Sequence, residues 1–327
     1  MHFVVYAGRP DKAGTAGAAE LLLPVGAKSI SLAGSNIATV KGIEASYWNP
    51  AGLANMNSNF GLLISHMNYI ADVNVEYVAL AMQSPNIGTI GLNLKTLDVG
   101  EIPITTEVNP DGTGETTSPT FITVGGTFAR NITDRIAIGV AANIIYERMA
   151  RVSATGVAFN FGVQYSGIGG VNGLSVGVAV KNIGPAIRFD GPGLFREARI
   201  EDATGKSSIV KIQAAASDLP TTIEVGLGYH LPIKSIFNLN LNSVFQNNNY
   251  SSDAYNFGID LDYRERFFFR TGLSISPDGG ISENIFGSAY GFGIKHEFSG
   301  YQFEIDYAYR IVRYFSGNHV FSMIFSF

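Results

Sequence analysis

Charged residues of both signs recur at two-residue spacing near the C-terminal end of the chain. Side chains two apart lie on the same face of a β-strand. The set that we expect to face a common interior is Arg264, Arg270, Lys295, Glu304, Asp306 and Arg310. Neighbouring strands can pair these charges, and a closed interior tolerates paired charges. We therefore interpret them as a salt-bridged scaffold that fills a narrow lumen, with a polar solute pathway as the alternative.

No group of residues has the spacing of a catalytic or cofactor site. The chain has no Cys, which excludes a disulfide framework, a thiolate zinc site and a Cys nucleophile. Its 5 His residues show no metal-ligand spacing. Neither a nucleophile elbow nor a glycine-rich phosphate loop occurs. The sequence predicts a protein that is not an enzyme and has no cofactor and no metal.

The composition is unlike that of a typical soluble domain. Of 327 residues, 46 % are hydrophobic and 15 % are charged, against roughly 25 % charged in soluble domains. A net charge of −5 argues against nucleic acid as a partner. No segment offers the roughly 20 consecutive apolar residues of a membrane helix. An apolar chain with 38 Gly, 15 Tyr and 22 Phe but no such segment indicates a transmembrane β-barrel.

Strict alternation of apolar and polar residues supports this interpretation. In 253–264, Tyr255, Phe257 and Ile259 alternate with Asn256 and Asp260. The alternating segments run for about 11–13 residues, whereas strands of soluble proteins average roughly 5–6. A soluble β-sandwich is the alternative, but full charges would be costly in its core.

Fourteen segments have this pattern, an even number as in single-chain bacterial barrels. The predicted strands are 58–69, 73–83, 87–98, 118–129, 132–148, 151–166, 172–184, 220–231, 235–247, 253–264, 266–276, 286–298, 300–311 and 316–327. We expect an all-β protein, a 14-stranded antiparallel transmembrane β-barrel over 58–327. Residues 1–57 do not alternate and predict an N-terminal extension and plug with short helices.

The connections between the predicted strands differ in length on the two sides. The segments 99–117 and 185–219 are the longest and fall on one side. Short periplasmic turns and long outer loops are typical of outer-membrane barrels. We expect a bacterial outer-membrane protein in contact with lipid, with both termini periplasmic. The apolar run from Phe3 to Ala7 is too short for a signal peptide, so we expect a truncated or processed start.

The last predicted strand carries aromatic and apolar residues at every second position up to the chain end. These are Phe321, Met323, Phe325 and Phe327. Alternating aromatics that end in a terminal Phe resemble the C-terminal signal by which outer-membrane barrels are recognised for assembly.

A compact turn precedes the first predicted strand and consists of Tyr47, Trp48, Asn49, Pro50, Ala51, Gly52 and Leu53. Pro50 pushes Asn49 out of the helical region, and Gly52 can adopt a positive φ. Trp48 and Leu53 can wedge into the barrel mouth. Turn chemistry explains each residue type, so we expect these residues to anchor the plug rather than to contact a ligand.

The N-terminal motifs resemble the opening of the PorV/PorQ family, within the wider group of FadL-like outer-membrane barrels. The matching segments are Lys12-Ala13-Gly14-Thr15, Leu22-Leu23-Pro24-Val25-Gly26-Ala27-Lys28, Leu32-Ala33-Gly34-Ser35 and Tyr47-Trp48-Asn49-Pro50-Ala51-Gly52-Leu53. The resemblance implies a non-enzymatic partner of type IX secretion, which receives exported cargo and passes it to surface-attachment proteins. Phe189, Leu194 and Phe195 in the outer loop are the expected contacts with other secretion or surface proteins.

Two other functions remain open. A FadL-like transporter would pass hydrophobic small molecules, and it would need an apolar pocket beside the plug and a lateral opening at a strand kink. A structural barrel would assemble with copies of itself or with a surface layer.

Overall fold

Fourteen antiparallel strands form a closed barrel in which each strand pairs with the next in sequence and the last pairs with the first. The computed structural model describes residues 8–199, 207–233, 236–276 and 285–327. The barrel strands are β1 (Phe60–Asn68), β2 (Asn74–Ser84), β3 (Gly88–Asp98), β4 (Thr120–Asn131), β5 (Ile136–Met149), β6 (Val152–Ser166), β7 (Leu174–Ile183), β8 (Thr222–Pro232), β9 (Phe237–Asn248), β10 (Ala254–Tyr263), β11 (Phe267–Ile275), β12 (Phe286–Phe298), β13 (Tyr301–Val312) and β14 (Asn318–Ser326).

The predicted fold class and strand number are confirmed. The largest difference in a strand boundary is at β5, which was expected from residue 132 and begins at Ile136. Residues 132–135 instead form a turn in which Ile136 N donates to Thr133 Oγ1 at 3.0 Å. The prediction succeeds because lipid outside and a polar lumen inside impose a period of two on each strand.

The connections divide the barrel into two ends. We call the end with the connections after the odd-numbered strands the loop end, and the opposite end, which includes Phe327, the turn end. Among the described residues, three small two-stranded sheets lie in the long loops, and they were not predicted. They pair Ile102–Pro103 with Thr116–Thr117, Ile187–Arg188 with Ala216–Ser217, and Phe195–Arg199 with Ser207–Lys211.

Residues 8–57 occupy the lumen, where they form short helical segments. These are α1 (Ala27–Ser31), α2 (Ala45–Trp48) and 3-10 turns at Pro10–Lys12, Ala19–Leu22, Gly42–Glu44 and Pro50–Asn55. No helix among the described residues has both the length and the apolar character needed to cross a membrane.

The apolar core lies between this segment and one side of the barrel. Ile43, Ala45 and Leu53 are buried against the inward residues of β1 and β2, including Leu63 and Tyr77. The inward face of β2 is therefore apolar. Its one acidic residue, Glu76, points outward and bonds to His66 Nδ1 at 2.5 Å. Glu76 does not face the lumen, because the apolar core and not water lies behind β2.

The N-terminal segment crosses the whole lumen. Arg9 N donates to Asn248 O and Ser251 O at 3.2 and 3.0 Å, at the loop end. Phe327 N donates to Phe60 O at 3.2 Å, at the turn end. The first described residues and the C-terminus thus lie at opposite ends of the barrel, which differs from the expected common side. The apolar run from Phe3 to Ala7 lies outside the described residues.

Inward glycines make room for the plug. A Cβ added at Gly162 would overlap Asn49 Oδ1 and Pro50 Cδ, and one added at Gly139 would overlap the backbone of Pro50. These strands approach the plug too closely for any side chain.

We expect Gly162→Ala to destabilise the folded barrel by about 1–3 kcal/mol, because the methyl group forces Asn49 and Pro50 away from the wall. The urea midpoint of the heat-modifiable form on gels measures this change. Gly287→Ala is the matched control, since a Cβ added there meets open space. Equal midpoints for the two variants would show that the plug does not press on β6.

Candidate functional site

The turn at residues 47–53 anchors the plug through hydrogen bonds to backbone carbonyls. Tyr47 Oη donates to Leu23 O at 2.9 Å, and Trp48 Nε1 donates to Val25 O at 2.9 Å. Both aromatic rings therefore hold the preceding segment in place.

Asn49 and Pro50 join this turn to the barrel wall. Asn49 has φ −148° and ψ 104°, the extended conformation expected before a proline. Its Nδ2 donates to Ile37 O at 2.9 Å and to Val163 O of β6 at 3.3 Å. Its Oδ1 accepts from Ala51 N at 3.2 Å, which caps the following 3-10 turn.

Gly52 has a different role from the one expected. It does not adopt a positive φ. Instead, a Cβ at Gly52 would overlap Val40 O, so the residue allows two plug segments to approach each other closely. Leu53 is fully buried in the core.

A buried ionic cluster lies near the turn end and centres on Arg270. This guanidinium pairs with Asp306, and with Asp260 and Glu304 at 3.3 and 3.4 Å. Its side chain has no exposed surface. Two neighbouring strands, β10 and β11, and the nearby strand β13 thus bring opposite charges together inside the lumen.

The plug contributes its own charges to this cluster. Lys28 Nζ lies 3.9 Å from Glu304 Oε1, and the charge of Glu304 raises the pKa of Lys28. Glu44 accepts from Ser29 Oγ at 3.0 Å, and burial raises the pKa of its carboxyl group. The plug and the wall are therefore held together electrostatically.

The other three predicted lumen charges do not join this cluster around Arg270. Lys295 pairs with Glu297 at 3.1 Å, and Arg310 lies farther toward the loop end. Arg264 is exposed in the turn after β10 with φ +56°, so its predicted lumen position is wrong. The strand ends at Tyr263, so the alternation of inward and outward side chains no longer applies at Arg264.

A cavity of about 1090 Å3, which we call the vestibule, opens between the plug and the wall at the loop end. Its floor includes Tyr47 and Trp48. Lys95 Nζ lies 5.0 Å from the Tyr47 ring centroid, and Lys181 Nζ lies 5.4 Å from that of Trp48. The predicted anchor therefore also lines a cavity.

Several vestibule residues were missed by sequence reasoning. Lys181, Tyr69, Tyr250 and Phe286 all line the cavity. Lys181 followed the inward period of β7 and could have been found from it. Tyr69 ends the predicted strand 58–69 on its inward period and could also have been found, whereas Tyr250 lies in a connection, where no periodicity assigns a direction.

The predicted outer-loop contacts differ in exposure. Phe189 packs against a small core that includes Ile145 and Leu219, which differs from its expected place in a partner surface. Leu194 is half-buried, and Phe195 is exposed.

The predicted assembly residues lie on the outward face of β14 and the chain end. Phe321, Met323 and Phe327 are exposed, and Phe325 stacks on Tyr301 at 5.8 Å between ring centroids. Their role in assembly stays a prediction.

No family model and no curated protein matches this chain. Solved structures do match it. The CymD monoaromatic hydrocarbon channel has a TM-score of 0.58 and 13 % identity, over 94 % of this chain and 98 % of that chain. The Pseudomonas putida toluene transporter TodX has a TM-score of 0.56 and 10 % identity, over 91 % and 96 %. A Pseudomonas aeruginosa FadL homologue has a TM-score of 0.51 and 11 % identity, over 93 % and 98 %.

These similarities establish that the chain has the fold of FadL-like outer-membrane barrels. Two of these neighbours are described as a monoaromatic hydrocarbon channel and a toluene transporter. The PorV/PorQ resemblance is not confirmed by these comparisons.

Replacement of Arg270 by Met is expected to destabilise the barrel by about 3–5 kcal/mol, because Asp260, Glu304 and Asp306 remain buried without their main partner. Urea unfolding of the purified barrel in micelles measures the loss. Arg264→Met removes an exposed charge and should leave the midpoint unchanged. A similar midpoint for both variants would contradict a structural role for the cluster.

Burial and the nearby Glu147 raise the pKa of Glu20 to about 8. The folded state therefore favours the protonated form, and its stability should fall as the pH rises from about 4.5 to about 8. Urea midpoints across this range should decline less in Glu20→Gln. Glu107→Gln, in an exposed loop, should decline like the native protein, and parallel declines in all three would refute the assignment.

Proposed function

We propose that this protein passes hydrophobic small molecules across the bacterial outer membrane, with its long loops outside and its turn end in the periplasm. The vestibule is the observation that supports this function. Its volume of about 1090 Å3 is slightly above the range typical for small-molecule sites, about 300–1,000 Å3.

The vestibule lining favours apolar ligands over hydrated ions. Aromatic and aliphatic side chains such as Leu97, Tyr69 and Phe286 form much of its wall. The plug closes the lumen below it, with Leu53, Ile37 and Ile30 each at most 2 % exposed. A ligand that enters from the loop end therefore reaches a closed floor rather than a water-filled pore.

Two irregularities in the strand ladder lie beside the vestibule. The register shifts between β6 and β7 at Phe159–Phe161, and between β12 and β13 at Phe286–Ala289. Asn182, opposite the first shift, has φ +61°. We propose these kinks as the positions of a lateral exit, because fewer ladder hydrogen bonds hold the wall there.

The secretion function has less support. It was implied by the N-terminal motifs, and in the structure these motifs hold the plug. Phe195 is exposed and could contact a partner protein. The mass spectrometry experiment below distinguishes a secretion partner from a transporter of small molecules.

A large residue in the vestibule should slow transport. We expect Leu97→Trp to reduce the initial rate of radiolabelled toluene uptake several-fold in cells with equal amounts of folded barrel. Leu92→Trp lies on the same strand but faces outward and is 61 % exposed, so it should transport at the native rate. Equal uptake by both variants would exclude the vestibule as the route.

Native mass spectrometry of the gently extracted barrel tests the same proposal without a chosen substrate. A bound mass of a few hundred daltons that is absent from Leu97→Trp supports transport. A bound protein chain, with no small ligand, would instead support a secretion partner.

A further inference from the structure

Lys95 and Lys181, two of the cations that line the vestibule, are already satisfied by protein groups. Lys95 Nζ donates to the plug carbonyls of Glu20 at 2.7 Å and Leu23 at 3.3 Å. Lys181 Nζ pairs with Glu224 Oε1 at 2.7 Å. Both ammonium groups serve the internal structure.

Arg310, the third cation of the lining, differs from them. Its Cζ lies 3.9 Å from the centroid of the Phe286 ring. Its Nε and Nη2 are buried without a hydrogen-bond partner, and no carboxylate of the described residues pairs with it. A guanidinium has five N–H donors, and leaving buried donors unused costs free energy.

A second unsatisfied side chain lies next to Arg310. Asn318 is its Cα partner across β13 and β14. Asn318 is 0 % exposed, and both its Oδ1 and its Nδ2 have no partner among the described residues. Buried polar groups in native proteins are nearly always bonded, so the unsatisfied donors of Arg310 indicate a place where a ligand supplies a bond. Asn318 is not among the residues that line the vestibule, and Arg310 is the member of this pair that lines it.

The charge balance of the vestibule favours an anion. Its charged lining residues are Lys95, Lys181, Arg310, Glu20, Glu224 and Asp253. With its pKa raised to about 8, Glu20 is mainly neutral at pH 7. Three cations then face two carboxylates. Arg310 is the cation that has no carboxylate partner among the described lining residues.

The rest of the lining favours an aromatic body for this anion. Tyr47, Trp48, Tyr69, Tyr250 and Phe286 all face the cavity. Aromatic side chains stack on or meet the edge of flat rings, and a guanidinium pairs with a carboxylate through two parallel hydrogen bonds.

We propose that Arg310 provides a carboxylate subsite, and that the vestibule takes an aromatic carboxylate. This deepens the proposed transport function and rests on it. The carboxylate accepts from the guanidinium of Arg310, while the ring lies among the aromatic side chains of the floor and wall. Arg310 then sets specificity for an acid over a neutral arene of the same shape.

Trp48 offers a direct test, since it is the one Trp of the chain and lines the vestibule. The probes are 4-ethylbenzoate and 4-ethyltoluene, which differ in a carboxylate against a methyl group. We expect Arg310→Gln to weaken 4-ethylbenzoate binding to the purified barrel about tenfold or more, measured by Trp48 fluorescence. Binding of 4-ethyltoluene should change less than about twofold.

Two further variants serve as controls. Arg313→Gln removes an exposed arginine near the end of β13 and should bind both probes like the native barrel, while Arg310→Lys should keep part of the preference for the acid. Heat modifiability on gels confirms that each variant is folded. Equal affinity of native and Arg310→Gln barrels for 4-ethylbenzoate would overturn the subsite. If the native barrel bound 4-ethyltoluene but not 4-ethylbenzoate, the subsite would be overturned and the transport function would stand. If it bound neither probe, both the subsite and the transport function would be contradicted.

Discussion

The burial of Arg270 against three carboxylates is the interaction on which the plugged barrel depends. A carboxylate taken out of water is costly unless a cation and hydrogen bonds replace its hydration. Asp260, Glu304 and Asp306 lie on the wall with one wall cation between them, so the wall alone carries excess negative charge. Lys28 of the plug approaches Glu304 at 3.9 Å and reduces that excess. The plug thus contributes a charge that stabilises the lumen, and it also forms the floor of the vestibule.

Much of the fold could be predicted because the barrel wall obeys a local rule. Each strand meets lipid on one face and the lumen on the other, and the period of two is visible in any ten-residue segment. The path of the plug follows no such rule. Its contacts join Asn49 to Val163 and Ala27 to Ser322, residues more than one hundred positions apart. Composition and turn chemistry showed that residues 1–57 were not strands, and the same signals could not show that the segment runs from the loop end to the turn end.

The wrong assignments share a physical cause. The inward face of β2 packs on Ile43 and Trp48 and has no room for a charge, so Glu76 points outward. Arg264 continued an alternation whose strand had already ended. Gly52 was expected to adopt a positive φ. It is needed instead because a side chain at this position would overlap the carbonyl oxygen of Val40. In each case a neighbour distant in the chain, or the exact end of a strand, decided the position.

The vestibule also shows why a site of this kind escapes motif reasoning. Its floor includes residues 47–48 of the plug, and its unpaired cation is Arg310 of the wall, so no short segment contains it. The scaffold interpretation treated Arg310 as one more paired lumen charge. The structure separates it from Arg270 by its position along β13, since Asp306 reaches the cluster and Arg310, four residues later, reaches the cavity. One strand therefore serves both parts of the molecule, with its turn-end half holding the plug and its loop-end half facing the space that the plug leaves open.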